Sequence, residues 1–350
     1  MSIHFQFRRY RLPLRTTVRT AHVVWIQREG LIIRVEGERG AVGFGEVAPI
    51  PAFGTETIDE AGAACEQLGE WPDEARLNAI PSTLGCVRHA LGTALAQTTL
   101  SGGHAGSPAQ PTTAYRSVAA LLPAGRAAVE ALRGRADAGF RTFKWKVGVG
   151  DAADEIALLD DVCAVMPEGA RLRLDANGAW DRRIAERWLE RCAERPVEFV
   201  EQPCAAPARA GESVRRRTDD LLLGLANDYP TPLALDEALV GDGDVERWIA
   251  AGWPGWYVVK PSLLGDVETA LARLREAKAT VVFSSALETA IGARAALRTA
   301  FAWTGEPKAL GFGVWPLFAD PRFDGPAAAP FVRVEDVERL NPEAIWTALD

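Results

Sequence analysis

No CxxC pair occurs in the chain, and its five cysteines, Cys65, Cys86, Cys163, Cys192 and Cys204, are odd in number. That pattern argues against a zinc knuckle or a disulfide frame and suits a reducing compartment. Long basic runs are missing too: 39 Lys and Arg stand against 47 Asp and Glu, a net charge of -8. The sequence therefore offers no footprint for nucleic acid or an anionic membrane surface. The first residues, MSIHFQFRRYRLPL, break their apolar positions with arginines. They read as neither a signal peptide nor a membrane span, so the cytoplasm is the expected location. What is present is a chain of 350 residues, 48% hydrophobic, sufficient for two modest domains or one large barrel with additions.

Residues 3 to 50 alternate apolar and polar positions, as in IHFQFRRYRL and GLIIRVEGERGAVGFGEV, with Glu38-Arg39-Gly40 as a turn. They predict an antiparallel meander. Residues 57 to 100 read as helical until SGGHAGSPAQP breaks the pattern, a domain boundary near residue 108. Beyond it, strand-like and helix-like segments alternate: TTAYRSVAAL, RTFKWKVG, RLRLDANG, VEFVEQP, PLALDEAL, GWYVVKPS, TVVFSSALET and KALGFGVW, separated by amphipathic stretches such as RIAERWLERCAE. This alternation implies a parallel sheet with helical crossovers. Eight units over 109–320 match a closed barrel better than an open doubly wound sheet. No ordinary barrel helix follows the eighth strand, so the tail 321–350 is expected to return to the N-terminal domain.

In such a barrel the chemistry sits at the C-terminal ends of the strands. Polar residues interrupt the apolar strands at those ends: Asp175 in RLRLDANG, Glu201 in VEFVEQP, Asp236 in PLALDEAL and Lys260 in WYVVKPS. Three carboxylates on consecutive strands would repel one another unless a cation lay among them. All-oxygen ligands, without His or Cys, select a hard ion, and the open positions suit Mg²⁺ better than Ca²⁺. Asn177, two residues after Asp175, is placed to orient a ligand. In TFKWKVG, period-2 geometry points Lys144 and Lys146 the same way, facing Lys260 across the mouth. One neutral lysine would take a proton from carbon while the ion and the opposing cation stabilise the charge. Singly, KxK is also a solvated strand face, and DAN or EQP a cap or turn; their joint occurrence at successive strand ends carries the reading.

These residues resemble the enolase superfamily, in its muconate-lactonizing-like branch, over nearly the whole chain. The resemblance implies a (β/α)7β barrel at 109–320 and an α+β capping domain at 1–108 completed by 321–350. FKWKVG, RLDANGAW, FVEQP, PSLLGD and FSSALETAIG are most similar to members that dehydrate a succinyl-substituted cyclohexadiene carboxylate in menaquinone or phylloquinone biosynthesis. By that likeness Lys146 removes the proton α to the carboxylate, beside Lys144, which tunes its field. Asp175, Glu201 and Asp236 ligate Mg²⁺, Lys260 stays cationic against the opposite ring face, and protonated Lys146 assists loss of hydroxide after an enediolate forms. Such a base requires a lysine brought from about 10.4 towards 7 to 8. Ser284, Ser285 and Gly311, with Gly313, are expected to hold substrate carboxylate oxygens, and segments 17–24 and 49–57 to close over the succinyl arm of a small dicarboxylate.

Two other activities fit part of the pattern. ALGFGVW lacks the Asp-x-Asp by which dipeptide epimerases hold an amino terminus, whereas paired lysines also suit N-acylamino acid racemisation. Gly148-Val-Gly150-Asp-Ala-Ala153 matches the glycine pattern of an NAD(P)-dependent dehydrogenase, but Lys144 and Lys146 occupy a strand that a nucleotide site would keep apolar.

Overall fold

The computed structural model describes residues 3–19, 24–100, 114–208 and 210–349. The N-terminal strands β1 (Ile3–Arg19), β2 (Val24–Gly37) and β3 (Val42–Val47) form an antiparallel sheet in that order. Alternation gives this sheet two buried faces. Leu31, Ile33 and Val35 pack with Cys65, Leu68, Val87 and Ala90 of the helices Ile58–Leu68 and Gly85–Leu100. Ile32, between them, joins Tyr10 and Phe44 in the larger second core. The second of those helices lies almost on the strand: a Cβ at Gly45 would fall 1.9 Å from the Ala90 carbonyl oxygen. The meander and the helical region thus match the periodicity of the sequence.

The remaining strands are β4 (Tyr115–Ser117), β5 (Ala120–Leu122), β6 (Thr142–Lys146), β7 (Arg171–Asp175), β8 (Val197–Glu201), β9 (Leu233–Leu235), β10 (Trp256–Val259), β11 (Thr280–Phe283) and β12 (Phe331–Arg333). Seven of them make one curled sheet in the order β11-β10-β9-β8-β7-β6-β5, with parallel neighbours. Helices follow the strands, and several begin on a side-chain cap, as at Asp151, Asp181 and Asp266. The helix-facing positions, among them Phe143, Trp145, Leu172, Leu174, Tyr257 and Phe283, belong to the large core. The alternate positions Phe199, Ala234, Val258 and Val282 form a separate apolar cluster on the other face. Two residues further along the same face lie Glu201, Asp236, Lys260 and Ser284, so the apolar cluster is the floor beneath the polar strand ends.

KALGFGVW, expected as an eighth strand, is reduced to two parallel bridges, Leu310 to Val118 and Gly311 to Ser284. Glycine accounts for the close fit: a Cβ at Gly311 would meet Ser284 Oγ at 2.5 Å. The tail touches both layers. Strand β12 pairs with β4, Glu338 receives Arg294 and Arg298, and the Arg8 guanidinium lies 4.0 Å from the Trp346 ring centroid. The expected boundary in SGGHAGSPAQP falls outside the described residues. Among those described, no helix is long and apolar enough to cross a membrane.

Candidate active site

The strand register aligns the site. Lys146 of β6 pairs with Asp175 of β7, and Asp175 pairs with Glu201 of β8. These three lie in one row, because parallel partners share a face and a height. Asp236 follows the last residue of β9, and Lys260 the last of β10. Lys144, one layer lower, reaches upward: its Nζ lies 2.7 Å from Glu201 Oε1 and 3.0 Å from Asp175 Oδ2. Lys260 Nζ donates to Asp236 Oδ1 and stands 5.4 Å from the Phe53 ring centroid. Asp175, Glu201, Asp236 and Lys260 are all at least nine-tenths buried.

The two lysines of TFKWKVG are pushed in opposite directions. Burial pulls Lys144 down, but Asp175, Glu201 and Asp236 together outweigh it and hold the ammonium far above its ordinary value. Burial also pulls Lys146 down; Asp175 opposes, the charge on Lys144 adds to the lowering, and the net shift is downward. Among the carboxylates, burial and the neighbouring Asp175 and Asp236 drive Glu201 well above its usual range despite Lys144. Asp175 is lowered, because Lys144 and Lys146 prevail over its burial. Two neighbouring lysines with diverging proton affinities are the arrangement in which one serves as base and the other as fixed charge. Among the described residues, no three Asp, Glu, His or Cys side chains enclose one point as an ion's cage. Here the Lys144 ammonium pairs with Asp175 and Glu201, and that of Lys260 with Asp236.

The remaining expected residues divide. Ser284 lies on the same strand face as Lys260 and bridges Gly311, with its Oγ donating to the Gly311 carbonyl at 3.3 Å. Ser285 points the other way: its Oγ donates to Glu288 at 2.8 Å and accepts the Leu287 N–H at 2.9 Å. The Gly311 N–H is spent on the Phe283 carbonyl at 2.8 Å. Asn177 Nδ2 donates to Glu237 Oε1 at 3.0 Å, and burial with Asp236 and Asp175 pushes Glu237 up to about 8. A cavity of about 480 Å³ beside these groups is lined by Phe53 and Gly54 of segment 49–57 and by Asn177, Gln202 and Glu237. Part of the other expected lid, residues 20–23, lies outside the described residues.

Sequence reading missed Gln202, Glu237 and Glu46. Gln202 and Glu237 directly follow Glu201 and Asp236, and that adjacency was the available signal. Glu46 gave none beyond an acid in an apolar strand. The glycine-rich turn after β6 is closed to a dinucleotide: Glu155 accepts the N–H groups of Gly148, Val149 and Gly150 at 2.7, 3.2 and 2.9 Å.

Residues 126–330 match the family model described as enolase C-terminal domain-like, and residues 3–99 the MenC N-terminal domain. The chain is 39% identical to an o-succinylbenzoate synthase of Thermosynechococcus vestitus over 318 residues, 89% of this chain and 92% of that protein. A crystal structure of o-succinylbenzoate synthase from Thermosynechococcus elongatus BP-1, complexed with Mg in the active site, is 35% identical, covers 99% of each chain and superposes with a TM-score of 0.78. The L-Ala-D/L-Glu epimerase of Bacillus subtilis shares the fold at 20% identity, with 95% of this chain and 96% of that one covered and a TM-score of 0.80. Fold and strand-end residues together define an enolase-type α/β protein. The chain belongs to the o-succinylbenzoate synthase family of the enolase superfamily.

Proposed function

We propose that the chain is an o-succinylbenzoate synthase, a carbon–oxygen lyase acting on 2-succinyl-6-hydroxy-2,4-cyclohexadiene-1-carboxylate, a small dicarboxylate, in menaquinone or phylloquinone biosynthesis. The observation that carries this reading is the in-register row Lys146, Asp175 and Glu201, with Lys260 beyond Asp236 on the far arc. Lys146, lowered by burial and by Lys144, takes the proton α to the ring carboxylate. Lys144, held protonated among acids, is the fixed charge beside it. Lys260 faces the developing negative charge from the other side, steadied by the Phe53 ring. Lys146 then returns its proton to the departing hydroxyl on the same face, and the ring becomes aromatic.

A divalent cation suits the donor set: three buried carboxylates without a soft ligand, one of them driven up by burial and then by its acidic neighbours. Asp175, Glu201 and Asp236, which here pair with Lys144 and Lys260 rather than converging on one point, would turn towards it to hold it. Bound Mg²⁺ supplies charge neutralisation at the substrate carboxylate, which makes the adjacent carbon acid easier to deprotonate.

The bridges from Leu310 and Gly311 to both edges of the parallel sheet support closure as a (β/α)7β barrel over 109–320, capped by 1–108 with 321–350. Cavity lining by Phe53 and Gly54 supports segment 49–57 as part of the lid. Ser284, rather than Ser285 or the Gly311 amide, has the orientation of a substrate contact. The free cysteines support a cytoplasmic location. N-acylamino acid racemisation is the second reading, because Lys146 and Lys260 stand on opposite arcs.

The deciding experiment assays purified protein on the cyclohexadiene substrate beside N-succinylamino acids, before and after EDTA treatment. Dehydration that disappears on chelation and returns with Mg²⁺ is expected. Turnover that survives thorough chelation, or racemisation without dehydration, overturns the proposal.

A further inference from the structure

We infer that Gln202 is a positioning residue that fixes Asp236 relative to Glu201, and so sets the affinity of the site for its divalent cation. This rests on reading Asp175, Glu201 and Asp236 as the cation's ligands.

Strand β9 ends at Leu235, and its ladder partners reach only Glu201 to Ala234 on one side and Tyr257 to Leu235 on the other. The backbone of Asp236 therefore lies beyond sheet pairing. Gln202 replaces the lost ladder. Its side-chain Oε1 accepts the N–H of Asp236 at 2.9 Å and of Ala238 at 3.1 Å, while Nε2 donates to the Cys204 carbonyl at 2.8 Å. Its backbone N–H donates to the Ala234 carbonyl at 2.8 Å, and its own carbonyl accepts from Gly178 at 2.6 Å. One residue thus binds the turns that follow β7, β8 and β9, the strands carrying the three acids.

The conformation is one that L residues avoid. Gln202 has φ of 37°, in the left-handed region, a state that persists where surrounding bonds enforce it. That turn sends the side chain sideways to the neighbouring strand, with only 1% of the residue exposed. Only an amide satisfies this position: two N–H groups require an acceptor and the Cys204 carbonyl requires a donor. Methionine has nearly the same length but makes none of these bonds, so the Asp236 turn is free to shift and the spacing of the acids relaxes. Because Lys260 pairs with Asp236, the same shift displaces that ammonium.

The test is calorimetric titration of MgCl₂ into wild type, Gln202→Met and Gln202→Asn, with thermal melting of each in the absence of Mg²⁺. Asparagine keeps the amide but is one methylene short of both partners, and gives a second folded variant should methionine not fold. Partners that orient ligands typically change metal affinity by about 10- to 100-fold, and the dissociation constant for Mg²⁺ is expected to rise by that amount in either variant. Any lost buried hydrogen bond lowers the melting temperature, so the metal affinity is the deciding measurement. Wild type that binds Mg²⁺ together with a variant that binds it within twofold as tightly overturns the positioning role alone. Wild type that takes up no Mg²⁺ overturns both this inference and the metal-site reading beneath it.

Discussion

Glu46 and Thr289 stand 243 positions apart in the chain, yet the Glu46 carboxylate accepts the Thr289 N–H at 2.9 Å. It also accepts the Gly292 N–H at 2.9 Å and the Tyr10 hydroxyl at 2.6 Å. A strand of the N-terminal sheet thereby caps the helix Ala290–Ala302, which follows the strand end bearing Ser284. Arg28 adds a second tie, donating to the carbonyls of Ala286 and Leu287. Through these buried bonds the N-terminal layer is fastened to one side of the candidate site.

Glu46→Ala would leave four buried donors without an acceptor, the Tyr10 and Thr289 hydroxyls and the Thr289 and Gly292 N–H groups, whereas Tyr10→Phe removes one donor and leaves Glu46 its helix partners. A buried group left unpaired costs about 1–3 kcal/mol. The alanine variant is expected to lose about 4 kcal/mol or more and the phenylalanine variant about 1, read from urea unfolding. Equal losses would show that the helix cap contributes nothing beyond the tyrosine bond.

Lys146→Ala is expected to abolish both dehydration and exchange of the substrate α proton with solvent deuterium, since no other group in the row is placed as the base. Lys260→Ala should lower kcat by about 10²- to 10³-fold, the range for losing one electrostatic contact to developing charge. Persistent exchange in the first variant would move the base elsewhere. A loss under tenfold in the second would leave Lys260 only a positioning role.

The row Lys146, Asp175 and Glu201 was legible because each residue breaks an apolar strand at its end, where period-2 alternation fixes the direction of the side chain. The same rule separates Ser284 from Ser285, although the shared Ser-Ser motif had suggested that both contact substrate. The eighth strand was overestimated: glycines in ALGFGVW permit close approach to Ser284 but leave little ladder. Gln202 and Glu46 were illegible for a different reason. Their roles depend on bonds to Asp236 and Thr289 made by tertiary folding, and no local period announces those. The ion pair between Lys144 and the acids was also hidden, since strand parity gives direction but not reach.

Glu288 makes a pH-dependent contribution of definite sign. Burial pushes its carboxyl up to about 7 from an ordinary 4.5, the nearby Glu46 adding to the rise, while the Ser285 hydroxyl and the amides of Glu288 and Ala286 pull the other way. Between those values the folded chain keeps a proton that the unfolded chain releases. The stabilisation is therefore full below about 4.5 and lost as pH rises through 7. Glutamine cannot ionise. Glu288→Gln should flatten the fall in stability between pH 5 and 8 by about 3 kcal/mol, measured by denaturant unfolding at each pH. Parallel curves for the two proteins would contradict it.

Lys144 offers the sharpest test of how the base is tuned. Its charge is one cause of the lowered proton affinity of Lys146, after burial and against the pull of Asp175. Lys144→Met deletes that charge and leaves Asp175 and Glu201 uncompensated, and both changes favour protonated Lys146. The limb of kcat/KM that rises as the base loses its proton must therefore move to higher pH in the residual activity of the methionine variant. Lys144→Arg retains a cation and should keep the limb near its wild-type position with a smaller rate loss. A limb that stays in place or moves towards acid in Lys144→Met would mean that some other group is titrating, and the division of labour between the two lysines would fail.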